Sequence, residues 1–159
     1  MPIPNEVLEL ENHSSDVNGE LNLASAYRIL KQMWDAGNRD RELILHLMFL
    51  AWYGLCEPPH ITGFHEEAIS NELVMIFNQV HEYVQSTIAN DVEMLYVVGL
   101  MAHLFPHLLG DHDVWLRRSE EYRLMYRALK PNGIEPSIFQ NRGAYGEYFG
   151  SQAKVVNGY

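Results

Sequence analysis

The chain has 159 residues, of which 47% are hydrophobic and 20% are charged, and its formal net charge is −10. A chain of this length and composition can bury one sizeable core, which excludes a wholly disordered protein and two full-sized domains. The single cysteine, Cys56, excludes an intrachain disulfide, and the lack of a basic and then apolar leader predicts a cytoplasmic protein.

The negative charge is distributed unevenly along the chain. Residues 1–116 carry 17 acidic and 4 basic side chains, whereas residues 117–159 carry 4 acidic and 7 basic ones. An acidic surface repels nucleic acid and anionic membranes and attracts basic proteins, so we expect a basic protein partner, no nucleic acid and no membrane. Solubility is the alternative explanation of the same charge.

The first two predicted helices differ in how their apolar residues are distributed. Residues 1–19 are acidic and show no hydrophobic period, which predicts a flexible arm. A helix over 21–36 follows, because four apolar residues share one helical face: Leu23, Tyr27, Leu30 and Trp34. The next helix begins near Asp40, whose carboxylate can cap it, and it ends before Pro58. Its apolar run over 43–56 is too short to cross a membrane and predicts a helix buried on most sides.

The same order of an amphipathic helix and then an apolar helix returns further along the chain. We predict an amphipathic helix over 66–88, a nearly all-apolar helix over 92–105 that Asp91 caps, and an amphipathic helix over 114–129. A last helix is predicted over 136–150, with proline in its first turn. None of these segments alternates as a strand does, so the sequence predicts an all-α fold of about six helices.

The two helix pairs align with each other. A shift of 50 residues places the apolar face of the first helix on that of the third, and a shift of 51 aligns the second helix with the fourth. The second set matches Asp40, Glu42, Leu43, Ile44, Leu47, Leu50 and Ala51 with Asp91, Glu93, Met94, Leu95, Val98, Met101 and Ala102. Because one hairpin cannot bury its apolar face alone, we predict stacked antiparallel hairpins in a single domain over 20–150, followed by a frayed tail over 151–159.

Part of the chain resembles the tetratricopeptide-like helical repeats. The segment 122–131, YRLMYRALKP, resembles the second helix and terminal proline of such a repeat, and 142–145, RGAY, resembles the glycine-containing first helix of the next. The resemblance covers residues 20–150 and implies a protein-binding scaffold without catalytic residues. Because the repeats are longer than the usual length of about 34 residues, an open superhelix and a compact bundle of hairpins are both open alternatives.

One segment of the sequence gathers several residues of the types that bind metal ions. His103, His107, Asp111 and His112 are candidate ligands, and they would make the protein a metal-dependent hydrolase. Pro106 interrupts the helical register between the first two histidines, and no glutamate follows His103 as in a metalloprotease helix.

The sequence gives little support to any other kind of catalytic site. Cys56 with His60 and His65 is the only other nucleophile candidate, and a cysteine at the end of a buried helix is typically inert. There is no dinucleotide-binding, phosphate-loop or serine-hydrolase motif, so no cofactor and no catalytic residue are predicted.

A partner-binding surface is the remaining prediction. The candidate residues are either acidic or belong to the aromatic C-terminal helix: Glu66, Glu67, Glu72, Asp111, Asp113, Tyr145, Tyr148 and Phe149. No further repeat covers that last helix, so its aromatic side chains either pack back onto the core or receive a partner, including a second copy in a homodimer. We therefore predict a non-enzymatic protein-binding module, one specific version being a bacterial immunity or antitoxin-like protein that neutralises a basic toxin. The alternatives are the metal-dependent hydrolase and a self-assembling structural protein.

Overall fold

A computed structural model describes residues 3–12, 23–66, 68–155 and 158–159 of the chain. Within these ranges the chain forms eight α-helices and no strand, which confirms the predicted all-α fold. The helices are α1 (Asn5–Asn12), α2 (Leu23–Asp35), α3 (Arg41–Cys56), α4 (Pro59–Thr62), α5 (Ile69–Val84), α6 (Val92–Leu104), α7 (His112–Leu129) and α8 (Gly143–Ala153). Three 3₁₀ turns lie between them, at Ile88–Asn90, Pro106–Leu108 and Pro136–Phe139.

Aspartate side chains cap the N-termini of α3, α6 and α7. Asp40 accepts the backbone N–H of Glu42, Asp91 accepts that of Met94, and each donor–acceptor distance is 3.0 Å. Asp111 likewise accepts from Val114 at 3.0 Å. These bonds satisfy backbone donors that the first turn of a helix leaves without a partner. The caps predicted from the sequence at Asp40 and Asp91 are confirmed.

The two apolar helices, α3 and α6, form the centre of the molecule. Every residue from Leu43 to Trp52 and from Glu93 to Ala102 is buried. α3 packs against α2 and α5, and α6 packs most extensively against α7. The ring of Phe149 on α8 contacts both central helices, at 5.6 Å from Phe49 and 6.4 Å from Tyr96 between ring centroids. Neighbours on several faces explain why both helices are apolar nearly all round.

Contacts between the first and last helices close the bundle. α8 packs against α1 and α3, although α1 precedes it by about 130 residues. In an open solenoid each repeat contacts only its neighbours along the chain. The hairpins therefore form a compact bundle, which resolves the choice between a bundle and an open superhelix that the sequence left open.

Both ends of the chain differ from the sequence expectation. A flexible arm was predicted over 1–19; residues 1–2 and 13–19 of it lie outside the described residues, but residues 5–12 form α1, with Val7 fully buried and Glu11 only 2% exposed. A frayed tail was predicted over 151–159; residues 156–157 of it lie outside the described residues, but α8 continues to Ala153, and Tyr159 is buried with its ring beside Tyr96. Both segments are too short for a helical period to stand out in the sequence, and contacts with distant residues hold them.

Candidate functional site

The structure does not bring the predicted metal ligands together. His103 and His107 are both exposed, and they lie on different elements, His103 in the last turn of α6 and His107 in the 3₁₀ turn that starts at Pro106. Asp111 uses its carboxylate to cap α7, and His112 faces Asp113 at 3.2 Å. Across the described ranges there is no group of three or more histidine, cysteine, aspartate or glutamate side chains arranged to hold a metal ion. The metal-dependent hydrolase therefore has no structural basis in the predicted cluster.

The only cysteine is a poor nucleophile. Cys56 lies half-buried at the end of α3, and burial, with a smaller effect of Glu57, raises the pKa of its thiol to about 12. The reactive species of cysteine is the thiolate, which is scarce at neutral pH when the pKa is this high. The structure therefore gives no support to a catalytic pair with His60 or His65, both of which are at exposed positions.

Two of the three aromatic residues predicted to bind a partner belong to the core. Tyr145 and Phe149 are fully buried, and their rings contact each other at 5.1 Å and surround Phe49. These two residues are therefore not a docking surface, because the chain itself covers them. Tyr148 is only partly buried, so it alone of the three keeps a free ring surface.

The predicted acidic residues have different local partners. Glu66 forms an exposed ion pair with Arg28, and Glu72 accepts a hydrogen bond of 2.7 Å from the hydroxyl of Tyr27. Asp113 is exposed beside His112, while Glu67 lies outside the described residues. Among the described carboxylates of this set, no hydrogen bond or ion pair provides a common partner.

A buried charge network that the sequence did not predict joins the N-terminal ends of α3 and α6. Its centre is Arg142, whose guanidinium donates two hydrogen bonds to Glu42, at 2.9 and 2.7 Å. The same guanidinium lies 2.8 Å from Glu93. Glu93 in turn accepts a hydrogen bond of 2.5 Å from the hydroxyl of Tyr145. One arginine therefore neutralises the carboxylates of both central helices.

His46 extends this network to the first helix. Its Nδ1 atom lies 2.7 Å from Glu11 and its Nε2 atom 3.0 Å from Glu42, so both ring nitrogens face carboxylates. Only the doubly protonated ring can donate to both. Burial by itself would lower the pKa of His46, but the two carboxylates outweigh burial and raise it. The imidazolium is therefore a structural cation that fastens α1 to α3.

Glu42 receives the opposite shift from the same contacts. Burial raises the pKa of its carboxyl, but hydrogen bonds from His46 and Arg142 outweigh that effect and lower the pKa to about 2. On the outer side of the network, Arg41 donates to both oxygens of Asp91, at 2.8 and 2.9 Å. The polar groups at this end of the central helices are therefore matched to one another within the chain, as buried charges require.

The C-terminal ends of α3 and α6 have a different chemistry. Three aromatic residues and two glutamates lie together there, and we call them the acidic aromatic patch: Tyr53, Glu57, Phe105, Glu147 and Tyr148.

The aromatic members of the patch share one support. Tyr53 and Tyr148 contact each other at 6.2 Å between ring centroids. The buried ring of Trp52 lies beneath, at 5.4 Å from Tyr148 and 6.3 Å from Phe105. Phe105 is 38% exposed, and the two tyrosines are partly exposed. The rings of Tyr53, Phe105 and Tyr148 are therefore partly accessible, and the buried ring of Trp52 supports them.

The electrostatic potential of the patch is negative. Burial raises the pKa of Tyr53, and the carboxylates of Glu57 and Glu147 raise it further. Burial also raises the pKa of Tyr148 to about 12, again with a contribution from Glu57. Within the part of the chain that the structure describes, neither glutamate forms an ion pair. Because helix C-termini carry partial negative charge, α3 and α6 strengthen this potential.

A depression lies beside the patch. It has a volume of about 320 Å³, and its walls include Tyr53, Glu147 and Tyr148 together with Gln152. The depression is at the lower end of the range of about 300–1,000 Å³ that ligand sites occupy, so it has room for one long side chain. The patch is therefore an open, negatively charged surface with aromatic faces.

Sequence reasoning found only Tyr148 of this patch. Tyr53 and Glu57 lie at the end of an apolar run, and Phe105 precedes a proline, so each suited the end of a buried helix. Their approach depends on tertiary packing, including that of α8 against α3, which no local pattern indicates.

No helix in the described ranges has the length and apolar character needed to cross a lipid bilayer. No protein-family model, no curated protein and no solved structure matches the chain. The likeness to tetratricopeptide-like repeats stays a prediction from the sequence.

Proposed function

We propose that this protein is a non-enzymatic protein-binding module, and that the acidic aromatic patch binds an arginine-bearing segment of a basic protein. One observation carries the proposal: among the described residues Glu57 and Glu147 pair with no cation, and both lie beside accessible tyrosine rings. The contrast with the buried network is informative, because there Glu11, Glu42 and Glu93 are matched with histidine or arginine.

Arginine is the side chain that fits this chemistry best. Its guanidinium stacks on aromatic faces and donates to carboxylates at the same time, whereas the ammonium group of lysine is a compact and more strongly hydrated charge. The protein already uses such stacking internally, because the guanidinium of Arg39 lies 3.5 Å from the ring centroid of Trp34. The overall charge of −10 adds steering, which speeds the encounter with a basic partner.

A narrower hypothesis concerns the identity of the partner. A small acidic helical protein that lacks catalytic motifs is similar in character to bacterial immunity proteins, which bind basic toxins by steered association. On this hypothesis the protein is cytoplasmic and the partner is a basic toxin. The hypothesis rests on charge and on the patch, and a toxin whose inactivation depends on Glu57 and Glu147 would support it directly.

The proposal is tested by calorimetric titration of hexa-arginine into two double variants of equal charge. Glu57→Gln with Glu147→Gln changes the patch, and Glu120→Gln with Glu121→Gln changes two exposed glutamates on α7. We expect the first to weaken binding about 10-fold at low salt, since two charge contacts of up to about 1 kcal/mol each are lost. The second variant should weaken binding less than about two-fold, through the general field alone.

Two outcomes separate the proposal from non-specific attraction. Equal weakening in both variants would mean that the overall charge, and not the patch, attracts the peptide. Hexa-lysine provides the second comparison: it should bind the wild-type protein more weakly than hexa-arginine, because lysine loses the stacking contact. Equal affinities for the two peptides would contradict a role of the aromatic rings.

A further inference from the structure

Tyr159 is inserted between α6 and α7, where none of the residues that surround its ring belongs to the acidic aromatic patch. Its ring lies 5.3 Å from that of His103 and 6.3 Å from that of Tyr96, measured between centroids. Its hydroxyl donates a hydrogen bond to the backbone carbonyl of Ser119 in the middle of α7. The guanidinium of Arg123 is 5.7 Å from the ring centroid. The phenol is therefore surrounded on several sides and is only 9% exposed.

Gly99 makes the space for this ring. A Cβ atom built on Gly99 would lie 2.9 Å from both Cε1 and Cζ of Tyr159, which is closer than real Cβ atoms approach other carbons. Glycine in the interior of a helix costs about 1 kcal/mol relative to alanine, so its position in the middle of α6 needs a compensating contact. The slot opposite Gly99 has the shape of a phenol ring, and we call it the tyrosine slot: Tyr96, Gly99, His103, Ser119 and Arg123.

The polar groups around the slot go beyond what the core needs. The hydroxyl of Ser119 is buried and has no hydrogen-bond partner, although buried polar atoms are normally paired. Arg127 donates from Nη2 to the main-chain oxygens of Gly158 and Tyr159, at 2.9 and 2.6 Å. In peptide recognition by strand addition, hydrogen bonds to the main chain give affinity and pockets for side chains give specificity.

The slot opens into unfilled space. A cavity of about 370 Å³ adjoins it, between the end of α7, the 131–134 loop and the end of α8. Tyr126 and Arg127 line this cavity together with Gly158 and Tyr159. A polypeptide whose tyrosine enters the slot therefore has room for its flanking residues on the same surface.

We propose that the tyrosine slot is a peptide-binding site that takes a tyrosyl side chain and the main chain attached to it, with Tyr159 as its intramolecular occupant. Three features together carry this assignment: a ring-shaped space that Gly99 provides, a hydrogen-bond acceptor for the phenol at Ser119, and a main-chain donor at Arg127. A tyrosine on another polypeptide meets the same groups when Tyr159 is withdrawn. Because a tethered group has an effective concentration in the millimolar range, Tyr159 competes with such a ligand in the wild-type protein.

The test empties the slot and refills it. Tyr159→Ala should lower Tm, and p-cresol at ten times its Kd should restore about 3–5 °C of that loss while leaving the Tm of the wild-type protein unchanged. Toluene has the same ring without the hydroxyl, so it should bind the variant about five-fold more weakly. N-acetyl-tyrosinamide should bind more tightly than p-cresol, because its main-chain oxygens reach Arg127.

Gly99→Ala provides the matched control. In the Tyr159→Ala background it fills the slot without breaking the helix, so p-cresol should no longer raise Tm. Equal effects of p-cresol on the wild-type protein and on Tyr159→Ala would overturn the site, as would binding that survives Gly99→Ala. Equal affinities for p-cresol and N-acetyl-tyrosinamide would overturn the peptide part alone and leave a phenol site.

The site can be tested even if the Tyr159→Ala variant does not fold. If Tyr159→Ala is unfolded, refolding in the presence of p-cresol replaces melting as the readout. Recovery of helical circular dichroism with p-cresol, and less of it with toluene, is then the expected result. No recovery with either compound would overturn the proposal.

Discussion

The two ends of the α3–α6 pair use charge in opposite ways. At the N-terminal end, the carboxylates of Glu42 and Glu93 meet one guanidinium, that of Arg142, within a largely buried network. At the C-terminal end, Glu57 and Glu147 have tyrosine rings beside them and no cation in the described ranges. Charge therefore stabilises the fold at one end of these helices and is available to a partner at the other.

This difference follows from what each charge costs when it lacks a partner. A buried carboxylate without a cation destabilises the protein, so the N-terminal end has little freedom to bind anything else. A carboxylate at the surface remains hydrated, so it destabilises the fold little when it has no ion-pair partner. The carboxylates at the C-terminal end can therefore bind a cation of another protein. Function is therefore expected where the charges are open, and stability where they are matched.

The largest expected effect comes from breaking the matched end. Arg142→Gln removes the cation shared by Glu42 and Glu93 and leaves two partly buried carboxylates facing each other. We expect the free energy of unfolding to fall by about 3 kcal/mol, as found when one member of a buried ion pair is removed. Urea denaturation measures this loss.

An exposed ion pair serves as the control for that experiment. Arg28→Gln breaks the exposed pair with Glu66 and should cost less than about 1 kcal/mol. Losses of similar size for Arg142→Gln and Arg28→Gln would mean that the network does not stabilise the fold. The affinity for hexa-arginine should be the same in folded Arg142→Gln as in the wild-type protein, apart from the general effect of one charge.

A smaller effect is expected from pH, also at the matched end. The pKa of His46 is raised in the folded protein, so its contribution to stability is complete below the ordinary pKa of about 6.5 and is lost as pH rises through the folded value. Glu42 acts in the other direction: its contribution is complete above about 4.5 and is lost as pH falls towards about 2. From these two groups we expect the greatest stability between these ordinary values.

Melting curves recorded at several pH values test the expected direction of the His46 effect. The Tm of the wild-type protein should decline as pH rises above 6.5 by a larger amount than that of His46→Gln, which carries no titrating ring at this position. Parallel declines in the two proteins would show that another group is responsible.

The sequence predicted the matched end only in part. The caps at Asp40 and Asp91 and the burial of α3 and α6 follow from local patterns, namely aspartate before an apolar run. The network does not, because Glu42 and Arg142 are 100 residues apart. One signal was present: the internal repeat pairs Glu42 with Glu93, which places equivalent carboxylates at the start of both apolar helices.

The open end was harder to predict. Tyr145, Tyr148 and Phe149 lie within one and a half turns of α8, and the sequence did not distinguish the two that pack inward from the one that keeps a free ring. That distinction depends on which face of α8 meets α3, and hence on tertiary packing. Tyr159 was missed for the same reason, since a single residue near the end of a polar segment has no periodicity.

The most direct test of the difference between the two ends is a chemical-shift map of the protein titrated with hexa-arginine. We predict that the largest amide shifts lie at the open end, at Tyr53, Glu57, Phe105 and Tyr148, and that amides around Arg41, Asp91 and Arg142 move little. Shifts that are largest around Arg41, Asp91 and Arg142, or spread evenly over all exposed acidic residues, would contradict the assignment of partner binding to the C-terminal ends of α3 and α6.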